Sequence, residues 1–124
     1  YYIQYAHARI ASIFRQATEK GYSWNRTASE AARARLVEPQ ENALITELMR
    51  FPEVVQAAAQ HRGPQIVANY LRELAASFHA FYNAQPILIP DEELRHARLG
   101  LAAATRQVLA NGLGLLGVSA PESM

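Results

Sequence analysis

Tyr5 and Arg9 stand one helical turn apart, and Ser12 and Gln16 continue the same stripe. On a helix this places an aromatic ring beside a guanidinium on one face. Such a pair can stack a nucleobase and hold a phosphate, because every base offers a π face and a guanidinium presents a planar fork of donors. A surface tyrosine beside an arginine can equally pack with no ligand at all. A second aromatic and basic group lies in the stretch Gly21 to Arg26, where Tyr22, the single tryptophan Trp24 and Arg26 share what reads as a loop. Exposed, that loop would touch RNA; folded inward, its indole would cover the core.

Other chemistry is thinner. Glu93-Leu94-Arg95-His96 has the Glu-x-x-His spacing of diiron bundles, but such a site needs a second copy and two further glutamates. One copy reads as a solvated helix start. The four histidines, His7, His61, His79 and His96, fall in four segments without the His-x-x-x-His spacing that suits zinc. No glycine-rich phosphate loop occurs, and Gly112, Gly114 and Gly117 follow a helix, the wrong end for an anion. The chain has no cysteine, which excludes disulfides and thiolate metal sites and fits a cytosolic protein. No catalytic residue, metal ligand or cofactor is assigned to it.

These groups need elements to position them, and the apolar periodicity supplies helices throughout. Ile3, Ala6, Ile10, Ile13 and Ala17 repeat at three and four, which predicts a helix from Tyr1 to about Lys20, stopped by Gly21. Thr27 and Glu30 have capping-box spacing for a short helix over Ala28 to Leu36. Pro39 opens a helix over Gln40 to Arg50, with Leu44, Ile45, Leu48 and Met49 inward, and Pro52 opens another over Glu53 to His61. After Gly63-Pro64, a long helix over Gln65 to Ala84 presents Val67, Leu71, Leu74, Phe78 and Phe81, widened by Ile66 and Tyr70. Asn83 to Pro90 reads as a connection.

Asp91 caps the last helix, which carries two apolar stripes: Leu94, Ala97, Leu101, Ala104 and Val108, and Leu99, Ala102, Leu109, Leu113 and Leu116. Two stripes predict burial from two sides, hence a central helix. It is expected to end in Gly112, Gly114 and Gly117, after which Val118 to Met124 leave the core. Arg106 interrupts the second stripe and is expected to bridge to a carbonyl or carboxylate. The fold class is all-α, a bundle of about five or six helices.

Length and charge narrow the classes further. At 124 residues the chain fits one domain. It has no initiator methionine and Tyr1 already lies in a helical pattern, so it is expected to be a piece of a longer protein. No apolar run approaches the roughly 20 residues of a membrane span. The net charge of +1 does not suggest a strongly cationic nucleic-acid binder, but residues 1–35 carry a local balance of +4, and eleven of the twelve basic residues are arginine. Arginine suits stacking and forked phosphate contacts better than lysine.

Two stretches, Gln4-Tyr5-Ala6-His7-Ala8-Arg9-Ile10 and Ala104 to Glu122 with its Asn111-Gly112-Leu113-Gly114-Leu115-Leu116-Gly117 core, resemble the C-terminal anticodon-binding domain of arginyl-tRNA synthetases. Phe51-Pro52-Glu53-Val54-Val55, Ala68-Asn69-Tyr70-Leu71, Phe78 and Phe81-Tyr82-Asn83 match in order and spacing. Leu94 to Leu101, around Arg98-Leu99, resembles the segment behind the domain name DALR. The likeness covers the whole chain and ends, as the family usually does, on a methionine, Met124.

The resemblance implies one anticodon-binding domain over residues 1–124, the C-terminal part of a class I aminoacyl-tRNA synthetase that joins arginine to its tRNA with ATP and Mg. Neither a HIGH-like nor a KMSKS-like signature is present, so that catalytic domain is expected elsewhere in the parent chain and the fragment alone should be inactive. Its implied partners are the anticodon arm of the arginine tRNA and the parent's catalytic domain, in the cytoplasm, with neither membrane nor DNA. By the same resemblance Tyr5, Arg9 and Ser12 face the anticodon loop, and Tyr82 and Met124 close over its bases. His7 faces away from Tyr5 and is expected to meet the catalytic domain, against which an apolar or mixed patch should be exposed. Two other readings are a helical protein-interaction module and the related domain of another synthetase, such as the glycyl β subunit; the two longest matching stretches favour the arginyl assignment.

Overall fold

Asp91 starts the longest helix by accepting a hydrogen bond from the Leu94 N–H (3.3 Å), with Glu92 and Glu93 in the first turn complementing the helix dipole. In the computed structural model, which describes residues 1–124, this helix, α6 (Glu92–Leu115), packs against most of the others. Before it come α1 (Tyr2–Glu19), α2 (Arg26–Ala31), α3 (Pro39–Met49), α4 (Phe51–His61) and α5 (Pro64–Ala84), with a 3-10 turn at Arg33–Arg35 and no strand. No helix is long and apolar enough to cross a membrane.

The core is where α1, α5 and α6 meet. Ile10 of α1, Leu71, Leu74, Phe78 and Phe81 of α5, and Leu99 and Leu109 of α6 have no solvent exposure, and Leu44 of α3 joins them. Tyr70 is buried with them; its hydroxyl donates to the Glu47 carbonyl (2.6 Å) and ties α5 to α3. Burial, then the nearby Glu47 charge, push its phenol up to about 12.

Four expectations are corrected. The cap of α2 is Asn25, whose side chain accepts from the Ala28 N–H at 2.8 Å, and the helix gives way to the 3-10 turn before Leu36. Met49 is exposed, because α3 turns that position away while Leu44 faces in. Ala104 is exposed and Val108 half-buried, so the first stripe of α6 is only partly covered. Finally, α6 runs through Gly112 and Gly114 to Leu115, and the helix is left at Gly117, whose φ is +71°. Gly112 serves packing: a Cβ there would stand 2.6 Å from Leu71 Cδ2.

A buried ion pair absent from the pattern reading fastens these helices. Glu41 has no exposure and Arg98 only 6%. Arg98 Nε donates to Glu41 Oε2 (2.8 Å), Nη1 to the Pro86 carbonyl (2.7 Å) and Nη2 to Gln85 Oε1 (3.2 Å). The other carboxylate oxygen of Glu41 accepts from the Glu38 N–H (2.9 Å), completing a capping box on α3.

Replacing Arg98→Met should cost about 3–5 kcal/mol, because Glu41 is left as a buried charge without a cation, while the double change Glu41→Leu with Arg98→Met should recover much of it. Urea unfolding of the three chains measures this. Gly112→Ala should destabilise by about 1 kcal/mol or more through overpacking on Leu71, whereas Gly114→Ala, with open space around it, should stabilise by up to about 1 kcal/mol. Opposite signs in paired melts are the expected outcome; equal signs would refute the packing role of Gly112.

Candidate nucleic-acid interface

α1 and α5 lie side by side, and their exposed edges carry Tyr5 and Tyr82 with Arg9 between them. The Arg9 guanidinium carbon is 4.3 Å from the Tyr82 ring centroid and 5.2 Å from that of Tyr5. Its Nη2 donates to the Tyr5 hydroxyl (3.3 Å), and its Nη1 to Nδ1 of His79 (3.0 Å). A guanidinium has no lone pair to offer, so His79 must present an unprotonated Nδ1 and carry its hydrogen on Nε2. Burial, then the Arg9 charge, lower the His79 pKa below the ordinary histidine value. Tyr2 and Tyr5 pack on the imidazole with centroids at 5.3 and 5.8 Å, and Phe78 backs Tyr82 at 6.2 Å.

The chain's last residues complete this edge. They leave α6 but return along α1, where Gln4 Nε2 donates to the Ser119 carbonyl (3.2 Å), His7 Nδ1 to that of Pro121 (2.7 Å) and Arg15 Nη1 to that of Glu122 (3.0 Å). The tail therefore does not leave the core as expected: it is bound again by α1, and Ala120 packs against the core. His7, 6% exposed, is covered by the tail, which corrects the expectation that it meets another domain. A cleft of about 250 Å³ opens beside the tail and is lined by all five expected residues, Tyr5, Arg9, Ser12, Tyr82 and Met124, together with Arg15, Gln16 and Ser123. Its charged side chains are both cationic. The Ser12 hydroxyl accepts from Gln16 Nε2 (3.1 Å).

His79 was not singled out from sequence as part of this face; its position three residues before Tyr82 on α5 was the signal. Of the other groups singled out from sequence, Trp24, Tyr22, Arg106 and Glu93 have internal partners. Trp24 donates from its indole nitrogen to Ser29 Oγ and packs edge-on against Phe14 (5.5 Å), so the loop covers the core. Tyr22 lies under the Arg95 guanidinium at 4.0 Å. Arg106 makes no bridge to a carbonyl or carboxylate, as had been expected, and instead lies over the Phe14 ring at 4.7 Å. Glu93 is paired with Arg35 (3.0 Å), away from His96. A larger, mostly apolar groove of about 640 Å³ lies between α2, α3 and α6, lined by Trp24, Leu36, Ile45, Leu48, Leu101 and Val108 among others. Size does not single out the aromatic cleft: the paired rings and their clasped guanidinium lie in the smaller of the two.

The lowered His79 pKa has a thermodynamic sign. The unfolded state binds the proton more readily, so the stability His79 contributes is complete above its unfolded pKa of about 6.5 and is lost as pH falls through the folded value. Urea midpoints at about pH 7 and about pH 5 should therefore fall for the wild-type chain and fall less for His79→Gln. An identical fall in both would show that other groups carry the dependence.

Known proteins with this arrangement identify the family. A model of the DALR anticodon binding domain matches residues 3–124. Arginine–tRNA ligases of Halorhodospira halophila and Thioalkalivibrio sulfidiphilus are 60% and 52% identical to the chain over all of its 124 residues, which span 21% of each relative. Arginyl-tRNA synthetase of Thermus thermophilus superposes with a TM-score of 0.84 at 42% identity, over 99% of this chain and 21% of that one. The chain thus spans about a fifth of the length of the relatives it matches, and it belongs to the DALR anticodon binding domain family.

Proposed function

We propose that the cleft between α1, α5 and the tail reads the anticodon loop of the arginine tRNA, and that residues 1–124 are the anticodon-reading unit of a longer arginine–tRNA ligase. The observation that carries this is the Arg9 guanidinium held between the Tyr5 and Tyr82 rings at the floor of an open, cationic cleft. Single-stranded RNA is recognised by splaying bases onto aromatic faces and bonding their edges. Tyr5, 44% exposed, and Tyr82, 37% exposed, have ring surface to offer such bases. Arg9 holds a phosphate or a base edge, and its clasp spares part of the entropy that a free arginine loses on binding. Ser12 sits in the cleft with its hydroxyl accepting a bond from Gln16, which leaves its own O–H free to donate to a base or phosphate. Three tail carbonyls are taken by α1, which leaves Ser123 and Met124 to close over the base shared by arginine anticodons, the central cytosine.

In this reading the ligase attaches arginine to the tRNA with ATP and Mg in a catalytic domain elsewhere in the polypeptide, and works in the cytoplasm without membrane or DNA. The similarity to ligases from several bacteria supports that parent activity.

An NMR titration of the labelled chain with an arginine anticodon stem-loop, repeated with the central cytosine replaced, tests the reading. Shifts should gather on Tyr5, Arg9, Tyr82 and the tail and weaken with the replaced base. Tyr5→Ala should cost roughly 1–3 kcal/mol of binding, the range for one stacked base. Arg9→Ala should also weaken binding and flatten its salt dependence, since one phosphate contact is lost. Unchanged affinity in both variants would place the RNA face elsewhere.

A further inference from the structure

Gln4, His7 and Arg15 fall on one stripe of α1, next to the stripe of Tyr5, Arg9 and Ser12, and each donates to a different main-chain carbonyl of the tail. The bonds from Gln4 and Arg15 lie in solvent. That from His7 is the shortest of the three, at 2.7 Å, and is partly buried, with the residue 6% exposed. A hydrogen bond shielded from water holds its geometry better than one that water can replace. Next to its acceptor, Ala120 packs against the core. His7 does not line the cleft, and its one hydrogen bond is to the Pro121 carbonyl.

Chain reach makes that bond matter. Met124 is three residues beyond Pro121, a tether of about 10 Å, but seven beyond Gly117, where α6 is left, a tether of about 24 Å. Fixing Pro121 therefore confines the chain end to the neighbourhood of the cleft.

We propose that His7 is a positioning residue for RNA reading: by holding the Pro121 carbonyl it keeps Ser123 and Met124 at the cleft lined by Arg9 and Tyr82. The proposal rests on the reading of that cleft as the RNA site. The imidazole acts on the backbone of the tail and touches no RNA itself. Because it donates from Nδ1, either the neutral Nδ1–H tautomer or the protonated ring can serve.

The test compares five labelled chains: wild type, His7→Ala, His7→Gln, a chain ending at Val118, and that shortened chain with His7→Ala. The probe is the arginine anticodon stem-loop, with Arg9→Ala as a control. Heteronuclear NOEs of Ser119 to Met124, measured without RNA, should drop in His7→Ala. RNA binding should weaken about three- to tenfold, the worth of one hydrogen bond. His7→Gln, which keeps an N–H donor, should restore part of both. In the shortened chain His7→Ala should have no further effect on RNA binding. An equal loss in full and shortened chains would make His7 a support of α1 and overturn the proposal, as would unchanged tail order in His7→Ala. If wild type and Arg9→Ala bind the stem-loop alike, the reading of the cleft fails and with it the role in RNA reading, while the NOEs still judge the link between His7 and the tail.

Discussion

A carboxylate with no access to water cannot be left without a cation, and the placing of Glu41 beside Arg98 constrains the rest of the bundle. The pair joins α3 to α6. The two remaining arms of the same guanidinium hold Gln85 and Pro86, the residues that follow α5. Three donors on α6 aimed at three acceptors on two other segments admit few other arrangements. The end of α5 is thereby fixed, and Tyr82 stands three residues before Gln85 on that end. A charge pair outside the cleft lining thus sets where one of its two aromatic walls must be.

The wall opposite is set by ordinary packing. Ile3, Ala6, Ile10 and Ile13 bury one face of α1, and helical geometry then presents Tyr5 and Arg9 on another. With both walls anchored, Arg9 finds two rings and one imidazole acceptor around it. His79 has to be neutral at Nδ1 to accept from a cation, and its surroundings favour that state. The cation is left free to attract an anion because none of its protein partners is acidic. Arg35, by contrast, sits between Asp91 and Glu93, and its charge is already answered.

What could be read in the sequence follows from what is local. The period of three and four, the prolines opening α3 and α4 and the aspartate capping α6 act within a few residues, and they placed the helices closely. The cap of α2 was misassigned because Asn25 and Thr27 are both good capping residues two positions apart, and only the backbone decides between them. The Glu41–Arg98 pair was not legible because 57 residues separate its partners. Gly112 read as a helix stop because a glycine that lets Leu71 approach and a glycine that ends a helix are the same letter. The five expected cleft residues do line one cleft. They came from family resemblance, however; spacing alone marked only Tyr5, Arg9 and Ser12, and left Tyr82 and Met124 unconnected to them.

The tail is held through its carbonyl oxygens, which every residue possesses. Its register against α1 is therefore indifferent to most side chains between Gly117 and Met124 and sensitive to their number. Adding or removing one residue would move the chain end by about 3.3 Å, close to the thickness of a stacked base. The segment works as a ruler: tolerant of spelling, strict about length.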